Sequence, residues 1–121
     1  MPATSHIQLW KQNSILFCKY VDKTDIDLEI AKQCVQSRIE FSLGVSHPTL
    51  IDLKGVRSVS KAAREYFSKE GVQLITAGAF LTGSPLTKML GNIFLKINKP
   101  SIPTRLFTDE GAANEWLKTY L

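Results

Sequence analysis

Residues 72–97 read VQLITAGAFLTGSPLTKMLGNIFLKI, and the two halves follow different rules. Val72–Phe80 is the most apolar stretch of the chain and lacks polar alternation, which predicts a strand covered on both faces. Thr82-Gly83-Ser84-Pro85 then opens a helix, with Ser84 as N-cap and Pro85 at the first helical position, where its missing N–H is not needed. Leu86, Met89, Leu90, Ile93, Phe94 and Ile97 recur at intervals of three and four, the spacing of one helix face, and Pro100 ends the run. A buried strand feeding an amphipathic helix is the repeating unit of a layered domain built on a parallel sheet.

The same unit recurs on either side. Downstream, Thr104–Phe107 is a short strand, and Thr108 caps a last helix. Asp109 and Glu110 favour the positive end of that helix, and Ala112, Ala113, Trp116, Leu117 and Tyr120 form its core face. Upstream, Leu50–Leu53 is an apolar strand ended by Gly55. Ser60 then caps a helix whose stripe is Ala63, Tyr66 and Phe67 and which Gly71 closes. At the start, Ile7–Trp10 and Ser14–Tyr20 flank a turn and read as a hairpin, followed by a helix from Thr24 to about Leu43, stopped by Gly44. The expected fold is α/β: one domain over residues 1–121, with a mostly parallel sheet of about five strands, an antiparallel first strand and about four helices.

Composition sets the class. A chain of 121 residues, 44% hydrophobic and 21% charged, suits one globular core and excludes a disordered tail or a disulfide-stapled miniprotein. No apolar run approaches the ~20 residues of a membrane span, and MPATSHIQLW lacks the pattern of a secretory signal. Cys18 and Cys34 match no metal or disulfide framework, so a cytoplasmic setting is expected. The formal charge of +4 is uneven: residues 54–105 carry nine basic residues against only Glu65 and Glu70. These charges are scattered singly and no aromatics are interleaved with them, so a solvated surface is expected and not a nucleic-acid platform.

Leu50–Phe67, LIDLKGVRSVSKAAREYF, resembles the strand-loop-helix core of STAS domains, the SpoIIAA-like fold of anti-sigma-factor antagonists. Residues 72–121, ending in KPSIPTRLFTDEGAANEWL, resemble bacterial SpoIIAA-like proteins of STAS/SEC14 type. The resemblance covers most of the chain and implies a binding or regulatory module. Classical members carry a turn of the type Asp-Ser-Ser-Gly whose serine is phosphorylated. Aligning on Val56 puts Ser60, Lys61, Ala62 and Ala63 at those positions, so the phosphoswitch does not carry over.

Chemistry-bearing residues are few. His6 and His47 read as surface residues, Cys18 and Cys34 as core, and no acid–base pair, glycine-rich nucleotide loop or metal spacing occurs, so neither an enzyme nor a cofactor is expected. Asp52 is the one carboxylate inside an apolar strand. It either accepts N–H bonds from the loop that follows or holds a ligand. The loops after the strands ending near Leu53, Phe80 and Phe107 should meet at the carboxyl edge of the sheet, where helix N-termini favour anions. That edge gathers Asp52, Arg57, Ser58, Ser60, Lys61, Arg64, Thr82, Ser84 and Lys88 as candidate binding residues, with Met89, Ile93 and Phe94 on the third helix. Ordinary helix caps explain the hydroxyls equally well.

Two readings follow. In the first, the second and third helices present a surface to a protein partner or to a second copy in a homodimer. In the second, a carrier of a small apolar or amphiphilic anionic ligand uses Leu81, Leu86, Met89, Leu90, Ile93 and Phe94 as a cleft, with Arg64 or Lys88 reaching the anion. An apolar cavity of ~300 Å³ or more would favour the carrier.

Overall fold

The structure, a computed structural model, describes residues 6–121. β1 (Ile7–Gln12) and β2 (Ile15–Tyr20) form the antiparallel hairpin, turned through Asn13 and Ser14 at positive φ. β2 pairs in parallel with β4 (His47–Asp52), β4 with β6 (Ile75–Leu81), and β6 with β7 (Thr104–Phe107). The five-stranded order is β1-β2-β4-β6-β7, antiparallel only at its first pair. α1 (Leu28–Ser42), α2 (Lys61–Lys69) and α3 (Pro85–Ile93) cover one face, and α4 (Glu110–Lys118) covers the other.

Two cores explain the missing alternation. Leu16, Cys18 and Tyr20 of β2 point toward Ala31 and Cys34 of α1 and Ala63 of α2. Ile15 and Phe17 of the same strand pack with Leu50, Ala77, Ala79 and Leu81 beneath Ala113 and Leu117 of α4. A strand buried on both faces has no polar side to show.

Several boundaries differ from the sequence expectation, each for a local reason. Residues 24–26 do not begin a helix: Thr24 donates its N–H to Gly55 O at 3.0 Å and its hydroxyl to Val21 O at 2.7 Å, which holds Thr24–Ile26 extended as β3. α1 starts one turn later, capped by Asp27, whose Oδ1 accepts the Ile30 N–H at 2.9 Å. Leu43 and Gly44, both at positive φ, end it together. β3 pairs in parallel with an unanticipated strand, β5 (Val56–Val59), in a small separate ribbon. α2 stops at Lys69, and Gly71 lies in the 3₁₀ turn Glu70–Val72 that follows. β6 begins at Ile75, since Leu74 sits at φ 61, outside the extended region. Asp109, not Thr108, caps α4, its carboxylate accepting the Ala112 N–H at 2.8 Å. Ala112 and Tyr120, expected on the core face of α4, are exposed.

The third helix starts at Ser84 as expected, through a reciprocal pair: Thr87 N–H donates to Ser84 Oγ and Ser84 N–H donates to Thr87 Oγ1, both at 3.1 Å. Its rotation is not the expected one. The inward line runs Thr87–Leu90–Gly91–Phe94, with Thr87 and Gly91 buried and Leu90 and Phe94 half-buried, while Leu86, Met89 and Ile97 are 41%, 50% and 68% exposed. Gly91 sets this: a side chain there would begin 2.6 Å from Leu106 Cδ2, so the helix backbone rests on β7 only along that line. A π-helical turn, Phe94–Asn98, and Lys99 at φ 47 lead out to Pro100.

Candidate functional site

The carboxyl edge of the sheet is tied to itself. Asp52, 7% exposed at the end of β4, accepts the Lys54 N–H on Oδ1 at 2.9 Å, with Lys54 Nζ 3.8 Å from Oδ2. Thr82, at the end of β6, donates both its N–H and its hydroxyl to Phe107 O, at 2.9 and 3.4 Å. These bonds join neighbouring loops, and Ser84 is occupied as the cap of α3.

β5 carries the other candidates away from that edge. The Arg57 guanidinium grips the Asp25 carboxylate through Nε at 3.0 Å and through Nη2, and Ser58 Oγ donates to Asp25 Oδ1 at 2.7 Å. Arg57 first and Ser58 second hold the Asp25 carboxyl down at about 2. Ser60 caps α2 by accepting the Ala63 N–H at 3.1 Å, and Lys61 beside it is exposed. The twelve candidate residues therefore divide into four groups: Asp52, Thr82 and Ser84 at the sheet edge, Arg57 and Ser58 in the β3–β5 ribbon, Ser60, Lys61 and Arg64 at the start of α2, and Lys88, Met89, Ile93 and Phe94 along α3 and the first residue of its π turn.

The outer side of α3 and its π turn is a shallow groove lined by Pro85, Lys88, Met89, Asn92, Ile93, Lys96 and Ile97. The charged side chains lining this apolar strip, Lys88 and Lys96, are both basic, and from Gly71 to Thr108 the sequence has no acidic residue. The inner side closes an apolar cavity of about 100 Å³ between the sheet and α2–α3. Leu90 and Phe94 line it, with Phe94 edge-on to Phe80, and Arg64 is the one charged side chain among the described residues that line it. Of the residues expected in a carrier cleft, Leu86, Met89, Ile93 and Lys88 do not line this cavity, and Leu81 belongs to the α4 side of the sheet. Gly78, which sequence reading did not single out, lines it too. A glycine inside an otherwise continuous apolar strand was the available signal.

Reactive groups are kept quiet by burial. Burial pushes the Cys18 and Cys34 thiols up to about 12, well away from a nucleophilic thiolate at neutral pH. Among the described residues no three His, Cys, Asp or Glu side chains gather as a metal site, and no helix is long and apolar enough to cross a membrane. His47, expected in a surface turn, is 7% exposed within β4, because its N–H donates to Leu74 O at 3.1 Å and draws it into the sheet. Desolvation, and then the charge of Lys11, lower its pKa below 6.5. The unfolded chain therefore takes up a proton first: this contribution to stability is complete above pH 6.5 and is lost as pH falls through the folded value. Thermal melts should show wild-type stability falling between about pH 7 and pH 5 more steeply than that of His47→Gln. Parallel profiles would refute the assignment.

Residues 9–121 match the model of a family described as a domain of unknown function (DUF7793). No curated protein matches the chain. Among solved structures, it is similar to an uncharacterized protein of the DUF3478 family with a SpoIIAA-like fold from Shewanella loihica PV-4, with TM-score 0.62 and 19% identity over 92% of this chain and 91% of that one. It is also similar to an anti-sigma factor antagonist from Mycobacterium paratuberculosis, with TM-score 0.68 and 16% identity over 93% and 92% of the two chains. The architecture expected from Leu50–Phe67 and residues 72–121 is the SpoIIAA-like one.

Proposed function

From the premise that the chain belongs to the DUF7793 family and has a SpoIIAA-like fold, we propose that it is a cytoplasmic, non-enzymatic binding module that docks a partner protein on the α2–α3 side. The observation that carries this reading is the outward strip of Leu86, Met89, Ile93 and Ile97 bordered by Lys88 and Lys96. Exposed aliphatic side chains in line leave surface for a partner to cover, and an all-positive border favours an acidic rim around it. Two-fold pairing with a second copy sets like charges against each other, which makes a homodimer the weaker occupant. The carrier reading fares less well with a cavity of about 100 Å³.

Lys61 and Ala62 stand where the classical turn has its two serines, which supports reading the module as working without the phosphoserine switch of classical STAS proteins. Native mass spectrometry of tagged chain recovered from its own cells tests the docking. A stoichiometric complex with an acidic protein is expected, reduced at least tenfold by the double substitution Met89→Glu and Ile97→Glu, with the melting temperature unchanged. Recovery of monomer alone, or of a complex indifferent to the double substitution, would contradict it.

A further inference from the structure

Met89, Ile93 and Ile97 stand four residues apart on the outer side of α3, beside a second column made of Lys88, Asn92 and Lys96. A regular α-helix would not keep the first column straight, because every fourth residue drifts about 40° around the axis. Ile97, seven residues past Leu90, would fall on the side of Leu90, which lines the inner cavity. The π turn prevents this. Its closing bond, from the Lys99 N–H to Phe94 O at 3.1 Å, spans five residues, so the turn holds more residues and rotates less at each. Ile97 therefore stays in the outer groove with Met89 and Ile93, and Lys96 stays there with Lys88. Such turns are rare and concentrate at functional positions. This one departs from α geometry and leaves an isoleucine in water.

We propose that this face receives an amphipathic helix of the partner protein, its apolar side on Met89, Ile93 and Ile97 and its acidic residues along one flank, opposite Lys88 and Lys96. The assignment rests on docking at the α2–α3 side and names the element that docks there. The backbone of α3 decides against a strand. Its N–H and C=O groups are spent within the helix, so an extended segment laid on it would leave its own unpaired, whereas a helix arrives with them paired. A polyproline segment needs an aromatic-lined groove, and none of the described residues lining this one is aromatic. Phosphorylated segments are met by arginine clusters, and the cations here are two lysines. Two parallel columns at four-residue spacing are the ridges between which the side chains of a second helix interleave. From Pro85 to Ile97 the face is about 18 Å long, the length of roughly three helical turns. Lys88 and Lys96 stand about 12 Å apart along it, so acids on the partner helix two turns apart match them.

Titration of the full chain with three synthetic peptides of about 18 residues, followed by amide chemical shifts, tests the proposal. The first carries leucines at i, i+3, i+4 and i+7 with glutamates along one flank. The second has the same residues in strict alternation, and the third replaces the glutamates of the first with lysines. The first should saturate, shift signals within residues 85–98 and gain helical circular dichroism on binding. The second and third should bind at least tenfold more weakly. Lys88→Glu together with Lys96→Glu should reverse the order of the first and third. Absence of saturable binding by the first peptide, equal binding of the second, or shifts lying outside residues 85–98 would each overturn the helical partner. The recovered cellular complex tests docking separately: a complex that depends on Met89 and Ile97, found alongside failure of the first peptide, would keep the docking face and discard the helix.

Discussion

Gly55→Ala is expected to destabilise the protein by about 3 kcal/mol, as overpacking against unyielding atoms does. Gly55 lies in the turn between β4 and β5, beneath the end of β2, and its carbonyl accepts the Thr24 N–H at 3.0 Å. A Cβ at this position would lie 2.5 Å from Val21 O and 2.6 Å from Tyr20 O. Both obstacles are backbone, so no side-chain rotation relieves the contact. The chain must either pull β2 away from the turn or give up the ribbon in which β3 pairs with β5. Urea unfolding monitored by circular dichroism measures the loss. A destabilisation under about 1 kcal/mol would mean that the turn is not held against β2 in solution.

Leu117→Ala is expected to cost a further loss of similar size, about 3 kcal/mol, in the range usual for truncating a fully buried leucine. Leu117 is wholly buried, and with Ala113 it anchors α4 to Ile15, Phe17, Leu50 and Leu81. Among the described residues α4 is the helix that covers that face of the sheet, so the cavity left behind has no neighbouring helix to collapse into it. Tyr120→Ala, at an exposed position one turn on, should cost far less. Equal losses in the two variants would show that α4 does not dock through the line Ala113–Leu117.

The layered fold was legible because its signals are local. The uninterrupted apolar run through Phe80, the Ser84-Pro85 helix start and the Gly44 stop of the first helix each act within a few residues. β3 and β5 were not legible, because Asp25, Arg57 and Ser58 stabilise the ribbon across 32 and 33 residues of sequence, and short strands carry too little pattern to announce a distant pairing. Missing β5 had a direct consequence for the site. Without it, Arg57, Ser58 and Ser60 were expected beside Asp52 and Thr82, whereas the ribbon takes them elsewhere. The rotation of α3 was hidden for a different reason. Two overlapping lines one residue apart, 86–89–93–97 and 87–90–91–94, both occur in its sequence, and hydrophobicity favours the first. Contact favours the second, because Gly91 and Thr87 let the backbone approach the sheet. The apolar side chains left over by that choice form the exposed strip on which the docking proposal rests.

Amide hydrogen exchange of the chain alone and in its recovered complex tests the docking claim most directly. Slowed exchange over residues 85–98, with little change in β1 or α4, is the predicted result. Protection confined to β1 or α4, with 85–98 exchanging as in the free chain, would contradict it.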